Sequence, residues 1–166
     1  MQTLIENVNI INPFEEVKTS QNVLIENNII KEISSSKINV KDANLVDGQD
    51  NYLLPGFIDC HTHIFAKGFH KQENMANPLG IHFYNAVPHA AQTLNAGVTT
   101  IRDCGSADLS FKLAQQRKLF PAPKIHLSIT PLVMTGGHFD LLLPSGFDME
   151  IIYPGFPKGF AMFSSL

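Results

Sequence analysis

Two histidines, His61 and His63, are the residues of this sequence whose type and spacing most directly indicate chemistry. They close the stretch LLPGFIDCHTHI, residues 53–64, in which a proline-glycine turn precedes a short apolar run typical of a buried strand. Side chains two apart on a strand share one face, so both imidazoles can reach one metal ion. Such a pair supplies half of a metal site, and without further context two unrelated histidines at a strand end would be the simpler interpretation.

The composition limits the classes of protein that this chain can belong to. Its 166 residues are 44 % hydrophobic and 16 % charged, which excludes a disordered chain and suffices for one domain with a core. A net charge of −3 with scattered Lys and Arg predicts neither a nucleic-acid nor a membrane partner. The amino terminus lacks the basic start and apolar core of a signal peptide, and no apolar run approaches the ~20 residues that span a bilayer, so we expect a cytoplasmic protein.

The pattern of predicted secondary structure changes at residue 53. It predicts a β-rich segment, residues 1–52, followed by an α/β segment, residues 53–166. In the first segment the pair Asn27-Asn28 tolerates positive φ and predicts a hairpin between the apolar runs on either side of it. No helix is expected there. About 50 residues of short strands are a thin basis for an independent domain, so this segment is expected to pack against other chain segments.

The second segment alternates between strand and helix patterns, which is typical of βαβ units and a parallel sheet. Pro88 predicts a kink or a short first helix, and Ser106 is a candidate N-cap of the second. Residues 130–166 are expected to be irregular, as an active-site loop or the start of a longer unit. The predicted strands are residues 53–60, 98–104 and 124–129, and the predicted helices are residues 81–96 and 107–119.

Four phrases together resemble the amidohydrolase superfamily, the metal-dependent hydrolases built on a (β/α)8 TIM-type barrel: LPGFIDCHTHI, AGVTTIRDCG, TGGHFD and LPSGFDME. The last two are similar to the branch of imidazolonepropionase-like enzymes and prolidase-like Xaa-dipeptidases. The resemblance implies an α/β fold in which residues 53–166 are the first three βα units plus a loop, and residues 1–52 are part of a composite β-sandwich. Because such a barrel needs about 250 residues, the chain looks like an amino-terminal fragment, and its apolar end suggests truncation or a frameshift.

The resemblance also implies roles for individual residues. His61 and His63 would be ligands to the more buried ion of a one- or two-metal centre, usually zinc. His138 would contact the substrate carbonyl or carboxylate, with a surface histidine in a loop as the alternative. Asp59 would orient a histidine, or else be a polar residue at a strand start. The remaining ligands and the aspartate that acts as general base are expected beyond the carboxyl terminus, so no catalytic residue is assigned within this chain.

The implied function is hydrolysis of an amide, peptide or cyclic amide C–N bond by a metal-activated water that attacks the carbonyl. A prolidase-like dipeptidase is the first expectation, and an imidazolonepropionase-like or deaminase activity is the first alternative. The second alternative is a truncated, catalytically incompetent chain with weak metal binding or an association role. The expected partner is a dipeptide or another small-molecule substrate, and formation of a homo-oligomer is left open.

Several other polar residues are given structural roles. Arg102 and Asp103, at the end of the predicted second strand, are expected to form an ion pair beside the site. Cys60 and Cys104 each end an apolar run and are expected to be buried free thiols. The other histidines, His70, His82, His89 and His126, have no partner at metal spacing and are expected to be ordinary helix or loop residues.

Overall fold

The computed structural model describes residues 1–65, 77–134, 137, 145 and 160–163. The chain divides into two compact units, residues 1–55 and 56–166, and this division lies close to the predicted segment boundary at residue 53. Among the helices described, none combines the length and the apolar character that a membrane crossing requires.

The first unit is a five-stranded β-sheet with β1 (Gln2–Ile10) in its interior. β2 (Lys18–Glu26) pairs antiparallel with β1, and β3 (Ile29–Ser34) continues the sheet beyond β2. β4 (Asn44–Asp47) and β5 (Tyr52–Leu53) both pair parallel with β1. The prediction of a β-rich segment without a helix is therefore confirmed for residues 1–55. The buried apolar residues of this unit are Leu4, Val8, Val23 and Ile38.

The hairpin predicted at Asn27-Asn28 is present. β2 and β3 are antiparallel, with Glu26 opposite Ile29. Asn27 and Asn28 have φ of 48° and 68°, which places both in the left-handed region that two-residue hairpin turns require. Asparagine enters this region more readily than most residues, so the sequence determines the turn locally.

The second unit contains a three-stranded parallel sheet in the order β6 (Phe57–Thr62), β7 (Val98–Asp103) and β8 (Lys124–Leu127). α1 (Leu79–Asn95) connects β6 to β7, and α2 (Leu109–Gln116) connects β7 to β8. The predicted βαβ order and parallel pairing are confirmed, and the chain is mixed α/β. The carboxyl ends of parallel strands lie at the same edge of a sheet, so the residues that follow β6 and β7 meet at that edge.

Helix α1 runs without interruption through Pro88, so the predicted short first helix is wrong, and the alternative of a kink stays a prediction. A proline inside a helix lacks the backbone N–H that would bond to the preceding turn. Ala86 and Ala90, on either side of it, are both fully buried in the core. We attribute the continuity of the helix to this packing, because tertiary burial routinely outweighs local propensity.

Helix α2 is shorter than predicted and has a different cap. Its N-cap is Asp108, whose Oδ1 accepts a hydrogen bond from the backbone N–H of Phe111 at 3.1 Å. Ser106 is not the cap, because its hydroxyl donates to Asp103 Oδ2 at 2.8 Å instead. Lys118 has a φ of 56°, which is incompatible with continuing the helix to residue 119.

The stretch predicted as a buried strand is exposed. Phe57 is 58 % and Ile58 67 % exposed, and Cys60 is exposed while Cys104 is half-buried, so the expectation of buried thiols is wrong as well. β6 is an edge strand of its sheet. An apolar run of this length shows that a strand forms, but it does not show how many layers cover it.

The core of the second unit lies between the sheet and its two helices, and Phe65 is at its centre. This residue follows β6 and is 3 % exposed. Its ring makes edge-to-face contacts with Phe83 of α1 at 4.7 Å and with Phe111 of α2 at 5.1 Å between centroids. The chain segment just after the two histidines is thereby anchored to both helices. The other buried core residues are Ile64, Ala86, Ala90, Ile101, Ala107 and Ile125.

Residues 130–166 are not uniformly irregular. β9 (Leu132–Met134) pairs parallel with β10 (Phe160–Phe163), so the expectation is wrong for these two short stretches. Parallel pairing between segments so distant in the sequence has no local signature.

Candidate metal centre

The two histidines singled out by their spacing lie side by side at the carboxyl end of β6. The ring centroids of His61 and His63 are 5.3 Å apart and the ring planes make an angle of 74°. Two imidazoles that bind one tetrahedral ion through nitrogen at about 2.1 Å have centroids roughly 5 Å apart. The pair therefore fits two ligands of a shared ion.

The ring of His63 is hydrogen-bonded to a backbone carbonyl. Its Nδ1 lies 2.9 Å from the carbonyl oxygen of Gly105. A carbonyl oxygen only accepts hydrogen bonds, so Nδ1 carries a proton, and in the neutral ring Nε2 is then the nitrogen that can donate a lone pair to a metal. Metal-binding histidines commonly donate their second ring N–H to a carbonyl or carboxylate in this way. The environment of His63 therefore fits a ligand.

Gly105, which supplies this carbonyl, occupies a position that only glycine fits. Its φ is +107°, in a region that residues with a side chain rarely adopt. A Cβ atom at this position would lie 2.7 Å from Cδ of Pro131, whose ring cannot move aside easily. The loop after β7 thus depends on glycine for the backbone conformation that faces His63.

Asp103 organises the junction between the end of β6 and the loop after β7. It is fully buried. Oδ2 accepts from the backbone N–H of Ile64 at 2.7 Å and from the hydroxyl of Ser106 at 2.8 Å. Oδ1 accepts from the backbone N–H groups of Gly105 at 3.1 Å and Ala107 at 3.0 Å. Four donors thus satisfy a carboxylate that would be costly to bury without them.

The predicted ion pair between Arg102 and Asp103 is absent, although both residues are described. Arg102 instead donates through Nε to the carbonyl oxygen of Cys60 at 2.7 Å, which ties β7 to β6. Neighbouring residues on a strand point to opposite faces, so the two charges are separated by the sheet. The prediction considered adjacency in the sequence and not this alternation.

Asp59 contacts the site through the backbone. Its Oδ1 accepts a hydrogen bond from the backbone N–H of His61 at 3.0 Å. Pairing of β6 with β7 shifts by one residue between Asp59 and Thr62, so the strict alternation assumed for this strand is interrupted just before the histidines. An orienting role for Asp59 stays a prediction.

His89, expected to be an ordinary helix residue, also reaches this edge of the sheet. Its Nδ1 lies 3.3 Å from the carbonyl oxygen of Ile64, to which it can only donate. No spacing in the sequence indicates this contact.

The role of Asp103, in contrast, has a local signal in the sequence. An aspartate followed by glycine and serine two and three residues later is typical of a side chain that accepts from the backbone N–H two residues on.

The site is incomplete within the residues that can be described. No group of three or more His, Cys, Asp or Glu side chains that could hold a metal occurs among residues 1–65, 77–134, 137, 145 and 160–163. The predicted substrate contact, His138, lies outside these ranges. His61 and His63 are thus two candidate ligands with a supporting shell.

Comparison with known proteins gives a consistent family. Residues 52–150 match the sequence profile described as the amidohydrolase family. The chain is 42 % identical over 66 residues to a 5-methylthioadenosine/S-adenosylhomocysteine deaminase of Dictyoglomus turgidum, covering 39 % of this chain and 15 % of the relative. It is 37 % identical over 75 residues to a dihydroorotase of Thermoanaerobacter sp., covering 45 % and 17 %. It is 43 % identical over 56 residues to an imidazolonepropionase of Clostridium tetani, covering 31 % and 13 %.

Solved structures match over most of this chain. A crystal structure of an amidohydrolase superposes with a TM-score of 0.80 at 30 % identity, covering 89 % of this chain and 36 % of the other. A prolidase complexed with N-methylphosphonate-L-proline superposes with a TM-score of 0.79 at 28 % identity, with the same two coverages. The chain thus spans about a third of the length of these structures and about a sixth of that of the curated relatives.

Proposed function

Since the chain belongs to the amidohydrolase family, we propose that it carries the first two ligands, His61 and His63, of a metal-dependent hydrolase of C–N bonds. One observation supports the proposal: the rings of His61 and His63 lie 5.3 Å apart, and Nδ1 of His63 donates to the Gly105 carbonyl, so that Nε2 is the nitrogen proposed to bind the metal. A histidine held in this tautomer on the end of a strand is prepared to bind a metal ion before the ion arrives.

The fold belongs to the same proposal. β6, β7 and β8 are proposed to be the first three strands of a (β/α)8 barrel, and the β-sheet of residues 1–55 part of a composite β-sandwich. The parallel strand order and the superposition on solved amidohydrolase structures support this. Both histidines then lie at the carboxyl ends of the strands, where barrel enzymes place their active sites.

Zinc is the proposed metal, in a centre of one or two ions, because neutral imidazole nitrogens on a rigid strand suit its tetrahedral preference. Such an ion activates a water molecule and polarises the scissile carbonyl. Within this chain, His63 and His61 supply imidazole nitrogens, and the Asp59 carboxylate holds the backbone of His61 in place. His138 is proposed to contact the substrate.

A dipeptide with a carboxyl-terminal proline is the proposed substrate, in a cytoplasmic enzyme. The prolidase structure and a Xaa-Pro dipeptidase structure with bound methionine both match along most of the chain, with TM-scores of 0.79 and 0.74. The deaminase, dihydroorotase and imidazolonepropionase relatives match over less than half of it, and cyclic amides or aminopurine nucleosides are therefore the second choice.

A second proposal concerns the 166-residue polypeptide by itself: it binds metal weakly and does not turn over substrate. The observation that favours this is the absence of a third metal-binding side chain near the histidines within the part of the chain that is described. Two metal ligands by themselves do not provide the proton transfer that hydrolysis requires.

Both proposals can be tested by one hydrolysis assay on two samples. The protein purified from its native source is expected to hydrolyse Xaa-Pro dipeptides, to lose this activity with a chelator, and to regain it with zinc. The 166-residue polypeptide, loaded with zinc, is expected to match a metal-only blank. Metal-dependent hydrolysis of cyclic amides or nucleosides in place of dipeptides would replace the substrate proposal. No metal-dependent hydrolysis by the native protein would contradict the first proposal, and turnover by the polypeptide would contradict the second.

A further inference from the structure

We infer that Asp103 is a positioning residue for His63, and that its buried carboxylate sets which ring nitrogen of His63 carries the proton. The inference rests on the proposed ligand role of His63. Asp103 accepts from the backbone N–H groups of Ile64, Gly105 and Ala107, and it acts on His63 through these backbone groups.

Asp103 holds the peptide group that follows His63. The N–H of Ile64 belongs to the peptide unit that joins Ile64 to His63, and it donates to Asp103 Oδ2 at 2.7 Å. This is the shortest of the four bonds that the carboxylate accepts. Charge-assisted bonds to a buried carboxylate are stronger than neutral ones, so the backbone of His63 is held firmly at its carboxyl side.

Asp103 also holds Gly105, the hydrogen-bond partner of the His63 imidazole. Gly105 donates its N–H to Asp103 Oδ1 at 3.1 Å and accepts from His63 Nδ1 with its carbonyl oxygen at 2.9 Å. Glycine has more backbone freedom than any other residue, so its carbonyl has no intrinsic reason to face the histidine. The N–H of Ala107 donates to the same oxygen at 3.0 Å and restricts the loop further.

Together these contacts make the carboxylate a link between the end of β6 and the loop after β7. Loss of the link would free the Gly105 carbonyl and so remove the acceptor that keeps the proton on Nδ1. Nε2 would then carry the proton for part of the time and could not bind metal while it did. A carboxylate that only stabilised the fold would lower the melting temperature and leave this proton where it is.

The test is Asp103→Asn in the 166-residue polypeptide, because the amide keeps the size of the side chain but presents an N–H₂ donor to backbone N–H groups. Metal-free protein with ¹⁵N-labelled histidine is studied by NMR at about pH 8, where histidine side chains are ordinarily neutral. The signal of His63 is assigned from its loss in His63→Gln. In the unsubstituted chain we expect His63 mainly protonated on Nδ1, and in Asp103→Asn a shift of population towards Nε2. Zinc affinity is expected to fall about 10- to 100-fold, the effect typical of groups that orient metal ligands.

Asp108→Ala is the matched control. Asp108 is also an aspartate that accepts a backbone N–H, at 3.1 Å from Phe111, and it caps α2 only five residues further along the chain. This variant is expected to lower the melting temperature without changing the His63 tautomer. A tautomer change of equal size in both variants would show a general loss of order and overturn the inference.

Other outcomes are equally decisive. A folded Asp103→Asn with the tautomer and zinc affinity of the unsubstituted chain would overturn the inference. If that variant does not fold, the same measurements on the unsubstituted chain decide. His63 mainly protonated on Nε2, or rapid exchange of the Ile64 and Gly105 amide protons, would overturn the inference. Protonation on Nδ1, with both amides protected from exchange, would support it. A tautomer shift in a chain that binds no zinc would contradict the proposed function and leave the action of Asp103 on His63 intact.

Discussion

Replacement of both His61 and His63 by alanine is expected to lower the zinc affinity of the 166-residue polypeptide by more than about 100-fold, because loss of ligands exceeds the 10- to 100-fold effect of changes around them. The two rings lie 5.3 Å apart, which suits two ligands of one ion, and no group of three or more potential ligands occurs within the described part of the chain. A competition titration against a chromophoric zinc chelator measures the change. His61 is exposed on an edge strand, so the double variant is expected to stay folded.

His126→Ala is the control for this experiment. His126 is an exposed histidine on β8 of the same parallel sheet, where it pairs with Arg102 in register. The substitution removes one exposed imidazole from the same sheet but none from the candidate centre. The zinc affinity is therefore expected to stay within about twofold. Equal zinc affinity in the double variant and the unsubstituted chain would exclude His61 and His63 as ligands.

Replacement of Phe65 by alanine is expected to destabilise the second unit by about 3–5 kcal/mol, the cost of removing a buried aromatic ring and leaving a cavity. Phe65 is 3 % exposed and contacts Phe83 and Phe111, so the lost ring contacts involve both helices. A loss of this size is a large share of the stability of an ordinary domain, about 5–15 kcal/mol. Urea unfolding followed by circular dichroism, with linear extrapolation, gives the change.

Phe57→Ala separates this effect from the loss of any phenylalanine. Phe57 lies at the start of β6 but is 58 % exposed, and its substitution is expected to change the free energy of unfolding by no more than about 0.5 kcal/mol. The position of Phe65 at the centre of the core would be wrong if the two variants unfolded at the same urea concentration.

Much of the fold could be predicted because it depends on local patterns. The Asn27-Asn28 hairpin requires positive φ at two adjacent residues, and the parallel order of β6, β7 and β8 follows from alternating strand and helix patterns. The exposure of β6 could not be predicted, since burial depends on which elements cover a strand and not on its own residues. For the same reason the pairing of β9 with β10 was missed.

The candidate site divides in a similar way. His61 and His63 could be singled out from the sequence by their two-residue spacing, although the pairing of β6 with β7 shifts just before them. The hydrogen bond from His63 to Gly105 joins residues 42 positions apart, and that from Ile64 to Asp103 joins residues 39 apart. Such contacts exist only once β6 and β7 pair, and the sequence offers at most the local turn signal at Asp103. Thus the candidate ligands could be predicted from the sequence, and the contacts of Gly105 and Asp103 beside them could not.

The most direct test of the central claim, that His61 and His63 bind one metal ion, is a crystal structure of the 166-residue polypeptide grown with zinc and measured above the zinc absorption edge. The account predicts an anomalous peak within about 2.0–2.1 Å of a nitrogen of each ring, with His63 bound through Nε2 while its Nδ1 still donates to Gly105. Zinc bound elsewhere with both rings unligated, or bound through Nδ1 of His63 with the Gly105 contact broken, would contradict it.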